Sequence, residues 1–176
     1  DIIRSIAGGN DTLGLMPTGG GKSITFQVPA MAMEGMTIVV TPLVALMKDQ
    51  VEHLCRRGMR AAAIYADQSH DDNMRHLDNA VFGAYKFLYV SPERLGTEVF
   101  QNKVRRMNVA FITVDEAHCI SQWGYDFRPA YLQIALLRDL LPHCPILALT
   151  ATATPEVVED ICRSLRFRPE RQAVFR

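Results

Sequence analysis

Short apolar runs alternating with amphipathic stretches constrain this chain more than any other feature of its sequence. The runs are TLGLM (12–16), TIVV (37–40), AAAIY (61–65), KFLYV (86–90), VAFITV (109–114) and PILAL (145–149). Each has strand length and is apolar nearly throughout, the pattern of a strand covered on both faces. Between the second and third runs, Leu43, Leu46, Met47, Val51, Leu54 and Cys55 recur at helical spacing, with Lys48, Glu52 and Arg56 opposite them. Another helix is signalled by Thr154 as N-cap, Pro155 and Glu156 in its first turn, and a stripe of Val157, Val158, Ile161, Cys162 and Leu165. Buried strands joined by helical crossovers make a parallel sheet with helices on both faces, whose ligands sit beyond the carboxyl ends of the strands. The expected fold is therefore α/β in three layers around a mainly parallel sheet of six or seven strands. DIIRSIAGG at the start reads as helical, RQAVFR at the end as a last strand, and DQSHDDNMRHLDN (67–79) as a solvated helix with its entry loop.

With 176 residues, 48% of them hydrophobic, the chain suffices for one core, and a single domain over 1–176 is expected. Lys plus Arg and Asp plus Glu balance at 19 each, so a nucleic acid or membrane must be met by a local patch rather than an overall field. Cys55, Cys119, Cys144 and Cys162 form no C-x-x-C pair, which fits neither a zinc site nor a secreted disulfide framework and points to a reducing compartment. No apolar run approaches the roughly 18 residues of a membrane span, and no signal-peptide order opens the chain. A soluble intracellular protein without a membrane partner is expected.

The first run leads into MPTGGGKS (16–23), glycines followed by Lys22, Ser23 and an apolar helix start. This resembles a Walker A loop. Glycines let consecutive backbone N–H groups turn toward phosphate oxygens, Lys22 can reach the β and γ phosphates, and Ser23 can ligate Mg²⁺. Met16 stands where the strict G-x-x-x-x-G-K-[ST] pattern has its first glycine, and the Thr-Gly-x-Gly-Lys variant is that of superfamily-two helicases. The fifth run ends in Asp115 and Glu116, the layout of a Walker B box: Asp115 would hold Mg²⁺ and Glu116 would orient and deprotonate the attacking water. Alone, such a pair would be an ordinary acidic helix start. Together with a phosphate loop on the same predicted sheet edge, it forms a nucleotide site.

With MPTGGGKS, DEAHCISQWG (115–124), DFRP (126–129) and LTATAT (149–154) in order, the chain resembles the first motor domain of a RecQ-family DNA helicase over nearly its whole length. TPLVALMKDQ (41–50) resembles motif Ia and YVSPERL (89–95) motif Ib. The resemblance implies a RecA-like P-loop fold, ATP and Mg²⁺ as cofactors, and hydrolysis that drives translocation on single-stranded DNA and unwinding of duplexes in repair and recombination. It implies Thr18, Gly19, Gly20, Gly21, Lys22 and Ser23 as the ATP-binding loop, with Ser23 and Asp115 on the metal. Lys22, Asp115 and Glu116 would be catalytic, and His118 would relay nucleotide state to the DNA side. The stretch after the box would be an aromatic loop sensing DNA, through Gln122, Trp123, Tyr125, Phe127 and Arg128, since exposed aromatics stack on bases without demanding a sequence. Thr41, Pro42, Ser91 and Arg94 would meet the DNA backbone, and Thr150 and Thr152 would link the box to DNA. Plain N-caps and solvated helix faces are the bland alternatives for the motif Ia and Ib residues. Of the three aromatics, Phe127 is expected to be the most buried, and His53, His70, His76 and His143 are read as surface residues.

The chain departs from the family at Tyr125, usually His, and Ala130, often acidic; tyrosine stacks but does not titrate near neutral pH. The family's adenine motif and second RecA-like domain, with its arginine fingers, have no counterpart here. The isolated chain, a monomer, is therefore expected to bind Mg-nucleotide weakly, turn it over slowly and unwind nothing. It would act with DNA in a bacterial cytoplasm or a eukaryotic nucleus. Two rival readings are an RNA-directed DEAH or DEAD motor and a P-loop kinase whose aromatics form a substrate lid.

Overall fold

The computed structural model describes residues 1–17 and 21–176; Thr18, Gly19 and Gly20 of the candidate phosphate loop lie outside the described residues. Seven strands make one sheet: β1 (Asp11–Leu15), β2 (Met36–Val40), β3 (Ala61–Ile64), β4 (Phe87–Val90), β5 (Val109–Val114), β6 (Ile146–Thr150) and β7 (Gln172–Phe175). Their order is β3-β4-β2-β5-β6-β1-β7 and every pairing is parallel. The expected α/β architecture holds at the upper strand count, with the C-terminal run as the edge strand β7.

Alternate side chains of each strand go to opposite layers. Val39, Phe87, Tyr89, Phe111, Leu147 and Leu149 face α1 (Ile2–Ala7), α2 (Ile24–Ala32) and α3 (Val44–Arg56), which contribute Ile6, Phe26, Ala30, Met47 and Leu54. Ile38, Val40, Leu88, Val90, Ile112 and Val114 face α4 (His70–Val81), α5 (Glu98–Val104), α6 (Ala135–Leu140) and α7 (Pro155–Ser164). Strands covered on both faces must be apolar throughout, which is why they read as continuous runs. Thr154 caps α7 as expected, its side chain accepting from the Val157 amide.

Two local expectations change. The apolar stripe predicted for residues 43–55 is only partly used: Met47 and Leu54 are buried, whereas Leu43, Leu46 and Cys55 are exposed. Met47 and Leu54, seven apart, seat α3 on the sheet with the partly buried Val51 packed beside them, and the remainder of the stripe faces out. The polar segment 67–79 does form α4 behind its entry loop, yet Asn73 within it is 2% exposed. Its amide donates to the Tyr65 carbonyl at 2.9 Å and accepts from Gln68 at 2.7 Å, pinning the chain that leaves β3. His76 is half-buried, its Nδ1 2.9 Å from the Tyr85 hydroxyl, while His53, His70 and His143 are exposed.

At the amino edge of the sheet, Asp11 is wholly buried and ties three segments. It accepts from the amides of Ile146 (3.0 Å) and Arg168 (2.8 Å) and pairs with the guanidinium groups of Arg138 (2.9 Å) and Arg168 (3.2 Å). Burial alone would raise its pKa, but the hydrogen bonds from Arg168, Ile146 and Arg138 outweigh that and hold it below the usual carboxylate range. Lys86 does similar work for α2, donating to the carbonyls of Ala30, Met33 and Gly35, which a helix end otherwise leaves without partners. The carboxyl edge of the sheet is thereby left to function.

Candidate nucleotide site and aromatic loop

Strand order decides which loops meet. β1 and β5 both border β6, so the loop after β1 and the acidic box after β5 stand two strands apart on one edge. The Met16 amide donates to the Thr150 carbonyl at 2.9 Å, fastening the start of the phosphate loop to the end of β6. Gly21, at φ +84°, sits in a conformation that L side chains rarely adopt. Lys22 and Ser23 follow at the amino end of α2, where the Thr25 hydroxyl donates to the Lys22 carbonyl at 2.6 Å.

The Lys22 ammonium lies 2.8 Å from Asp115 Oδ1 and 3.2 Å from Glu116 Oε1, bridging two loops more than ninety residues apart in sequence. Burial would lower the Lys22 pKa, but the two carboxylates outweigh it, so the net shift is upward and the ammonium stays charged. Asp115 is held by its backbone: its amide donates to Val40 of the neighbouring strand at 2.9 Å, and its carbonyl accepts from the Tyr131 hydroxyl at 2.7 Å. Glu116 adopts a left-handed backbone, φ 52° and ψ 46°, and its amide donates to Asp115 Oδ1 at 2.9 Å. A non-glycine residue in that region costs about 1–3 kcal/mol and gathers at functional sites. Here it turns the chain out of the strand so that two consecutive carboxylates reach one ammonium.

Ala117–Ile120 form a 3-10 turn buried throughout. His118, 2% exposed, has Nδ1 2.8 Å from Thr150 Oγ1 and Nε2 3.5 Å from Glu116 Oε2. Burial lowers its pKa against the pull of Glu116 and Asp126, which leaves a neutral imidazole at pH 7. Cys119 is a buried thiol donating to Asp126 Oδ2 at 3.8 Å, and burial together with the Asp126 charge pushes it up to about 12.

The aromatic loop folds back onto this turn. The Arg128 amide donates to the Cys119 carbonyl at 2.8 Å, closing the loop, and the Trp123 amide donates to Ser121 Oγ at 3.1 Å. A Cβ on Gly124 would lie 3.0 Å from the His118 carbonyl oxygen, so any other residue would require the loop or the turn to give by a few tenths of an ångström. Trp123 and Tyr125 are 74% and 73% exposed, whereas Phe127 is half-buried, as the sequence led one to expect. Tyr125 nonetheless rests one face on His118, with ring centroids 4.5 Å apart and planes 18° from parallel. Arg128 pairs with Asp126 at 3.4 Å, and Gln122 is exposed.

The remaining predicted residues are placed along the same edge. Register sets Val40 opposite Val90, so Thr41 and Ser91, which follow them, are neighbours. Both are buried, and Thr41 Oγ1, Ser91 Oγ and Arg94 Nε are buried without a hydrogen-bond partner among the described residues. Pro42 is half-buried, ahead of the amino end of α3. Thr150 is buried against His118, and Thr152 is exposed in the wall of a cavity facing the aromatic loop. Tyr131, which holds the Asp115 carbonyl, had no motif to announce it; its only signal was a tyrosine a few residues past DFRP.

A candidate phosphate loop near a paired-carboxylate box on the carboxyl edge of a parallel sheet is the arrangement of the P-loop nucleotide-binding class, which the sequence comparisons narrow to a helicase family. A profile of the DEAD/DEAH box helicase family matches residues 1–161, and the chain belongs to that family. Within it, the chain is 50% identical over 161 residues to the ATP-dependent DNA helicase RecQ of Bacillus subtilis (strain 168), covering 91% of this chain and 27% of that protein. It is 43% identical over 168 residues to the ATP-dependent DNA helicase RecQ of Pasteurella multocida (strain Pm70), covering 96% of this chain and 27% of that protein. The chain thus spans about a quarter of the length of these relatives and is RecQ-like across its own length. The fold is that of the helicase domain of Pyrococcus furiosus Hef, with a TM-score of 0.70 at 18% identity over 99% of this chain and 36% of that one. No helix among the described residues is long and apolar enough to cross a membrane.

Proposed function

We propose that this chain is the ATP-hydrolysing first motor domain of a RecQ-type DNA helicase, which couples hydrolysis to movement on single-stranded DNA and to duplex unwinding. The observation that carries the reading is the Lys22 ammonium bridging Asp115 and Glu116. Two carboxylates, the Ser23 hydroxyl and a charged lysine form a donor set that suits a hard cation and a polyphosphate. Ser23 and Asp115 would hold Mg²⁺, which supplies charge neutralisation to the β and γ phosphates when bound. Lys22 exchanges its carboxylate partners for phosphate oxygens, which the ammonium can do without changing its charge. Glu116, turned out of the strand, is the residue that orients the attacking water and takes its proton. Neutral His118 links Glu116 to Thr150, the end of the strand lying between the phosphate loop and the box.

The DNA side of the reading rests on the exposed Trp123 and Tyr125 and on Arg128, with Gln122, Phe127 and Thr152 beside them. Thr41, Pro42, Ser91 and Arg94 follow the adjacent strands and are proposed to meet the DNA backbone; Thr41 Oγ1, Ser91 Oγ and Arg94 Nε are buried without a partner among the described residues, so a phosphate reaches them only after local rearrangement. The partners proposed are single-stranded and duplex DNA, met in the cytoplasm of a bacterium or the nucleus of a eukaryote by a monomeric domain. An arginine finger from a second domain is worth about 10³–10⁵ in related enzymes, so turnover by this chain alone is expected to be slow. The test measures Mg-nucleotide binding, slow hydrolysis and oligonucleotide binding on the chain and two variants. Lys22→Ala should lose nucleotide affinity, Glu116→Gln should keep it and lose turnover, and single-stranded DNA should bind in preference to RNA. Preference for RNA would assign an RNA motor instead, and phosphorylation of a small acceptor would assign a kinase.

A further inference from the structure

Cys119 and Asp126 have no role in the nucleotide chemistry above, yet both are held against a residue that does. The turn that buries His118 buries Cys119 next to it, and the loop carries Asp126 back over them, closed by the Arg128 amide donating to the Cys119 carbonyl at 2.8 Å. Cys119 Sγ lies 3.8 Å from Asp126 Oδ2, and a ring nitrogen of His118, the sulfur and an Asp126 oxygen all lie within 4.8 Å of one another. No other trio of His, Cys, Asp or Glu among the described residues is gathered in this way. Imidazole nitrogen, sulfur and carboxylate oxygen are the donors Zn²⁺ takes, at about 2.0–2.3 Å each, which sets the donors of a tetrahedral site about 3.3–3.8 Å apart. The sulfur and carboxylate already meet that spacing. Rotation of the half-exposed Asp126 side chain closes the remaining gap of about 1 Å. The spacing of the cysteines did not announce this trio, because only one of its donors is a cysteine and the third arrives seven residues later.

We propose that His118, Cys119 and Asp126 form a binding site for Zn²⁺, which brakes hydrolysis by drawing His118 from its place between Thr150 and Glu116. Charge favours the ion: one thiolate and one carboxylate cancel its two positive charges beside a buried turn, and the imidazole adds none. On binding, the Cys119 sulfur–hydrogen bond gives way to a sulfur–zinc bond and one proton leaves to solvent, an exchange that a coordinated dication drives. Water fills the fourth position from the side of Asp126. Arg128 does not block the site, since its guanidinium meets Asp126 Oδ2 and the other carboxylate oxygen accepts no hydrogen bond among the described residues. Both His118 nitrogens are engaged, Nδ1 2.8 Å from Thr150 Oγ1 and Nε2 3.5 Å from Glu116 Oε2. Whichever nitrogen the ion takes, His118 loses either the strand end or the water-orienting carboxylate. Mg²⁺, a hard cation that prefers oxygen donors, does not compete for a sulfur and a nitrogen. The site stands on its own geometry, and the brake rests on the hydrolysis reading above.

Co²⁺ is the spectroscopic stand-in for Zn²⁺. Titrating the reduced chain with Co²⁺ in excess Mg²⁺ should raise, at one equivalent, a near-ultraviolet thiolate-to-cobalt band and the strong visible bands of a tetrahedral site. Zn²⁺ should bleach them with release of one proton per ion. Cys119→Ser should lose the thiolate band, whereas Cys55→Ser and Cys162→Ser, which remove the two thiols that are not buried, should keep it. Asp126→Asn alters a half-exposed side chain without touching the buried turn, and should weaken Zn²⁺ binding roughly tenfold or more even if Cys119→Ser does not fold. In Mg-nucleotide hydrolysis, Zn²⁺ should lower turnover of the parent chain about tenfold or more, a chelator should restore it, and the same Zn²⁺ should leave the turnover of folded Cys119→Ser where it was. Absence of a cobalt band, its survival in Cys119→Ser, or Zn²⁺ affinity unchanged in Asp126→Asn would overturn the site. A cobalt band with turnover unchanged by Zn²⁺ would overturn the brake. A chain that hydrolyses nothing even without Zn²⁺ would overturn the hydrolysis reading and the brake with it, and the cobalt band would still decide the site.

Discussion

Tyr131 offers the sharpest test of how the acidic box is held. Its ring is wholly buried and its hydroxyl donates to the Asp115 carbonyl at 2.7 Å, the backbone oxygen between the two candidate catalytic carboxylate residues. Burial pushes its pKa well up, so it donates at every accessible pH. Tyr131→Phe keeps the ring and its packing and deletes one oxygen, so no large cavity forms and the cost is that of a buried carbonyl left without its donor. That is about 1–3 kcal/mol, equivalent to roughly 2–4 °C in Tm per kcal/mol for a domain of this size. Because the lost partner orients a proposed metal-ligating residue, apparent Mg²⁺ affinity in nucleotide binding should also fall, by about 10–100-fold. Urea unfolding followed by far-UV circular dichroism gives the first quantity, and Mg²⁺ titration of nucleotide binding gives the second. Tyr85→Phe is the control: it deletes a hydroxyl bonded to His76 and Asn79 away from the site, so it should cost stability without moving the Mg²⁺ dependence. A stability loss under about 0.5 kcal/mol with an unchanged Mg²⁺ dependence would refute the reasoning, which rests on the penalty for an orphaned buried acceptor.

Asp11→Asn should destabilise the fold by about 3–5 kcal/mol, because it leaves the buried Arg138 guanidinium without its counter-charge and sets an amide donor against backbone donors. The folded pKa of Asp11 is depressed, so the unfolded chain takes up the proton more readily: the stabilisation is present above the ordinary value of about 3.9 and is lost as pH falls through the lower folded value. Urea midpoints from pH 7 down to pH 3 should show that acid step in the parent chain and a smaller one in the variant. Lys86→Met removes three hydrogen bonds from one ammonium to the end of α2 and should cost about 2–3 kcal/mol, read by the same unfolding assay with nucleotide affinity as the unaffected comparison. Gly124→Ala places a methyl 3.0 Å from the His118 carbonyl and should lift the aromatic loop, changing Trp123 emission while global stability moves by less than about 1 kcal/mol. A large melt shift with unchanged Trp123 emission would mean that the loop is held from elsewhere.

What was legible in the sequence was what short range determines. Strands covered on both faces advertise themselves as apolar runs, and a capped helix by Thr154 and Pro155. Tyr125 could be named as a loop aromatic, but its seat on His118 depends on Gly124 allowing backbone to approach backbone, which no spacing rule contains. The Asp11 cluster joins β1 to the segments carrying Arg138 and Arg168, and in the sequence Asp11 is simply a polar residue after Gly-Gly-Asn. Thr41 and Ser91 were legible as residues at strand ends but not as buried ones, because burial there follows from β2 and β4 lying side by side. Cys55 and Leu46 erred the other way: helical spacing marked them for the core, and the sheet took only Met47, Leu54 and part of Val51 from that face.

Two tyrosines tie the acidic box to the chain that follows it, Tyr125 from the aromatic loop and Tyr131 from the turn beyond, and they differ in a way that decides which can carry a signal. Tyr131 grips the Asp115 backbone from a wholly buried position, within a packed core where few alternative arrangements exist. Tyr125 grips the His118 side chain from an exposed one, where a stack can be extended, loosened or replaced without disturbing the core. A coupling element needs two accessible arrangements, and only the exposed tie offers them. The two tyrosines should therefore separate by experiment: Tyr131→Phe should alter Mg²⁺ dependence whether or not an oligonucleotide is present, whereas Tyr125→Ala should alter the size of the oligonucleotide's effect on the nucleotide site. If Tyr131→Phe instead changed only the oligonucleotide effect, the signal would run through the backbone of the acidic box, and the buried tie would be the moving part.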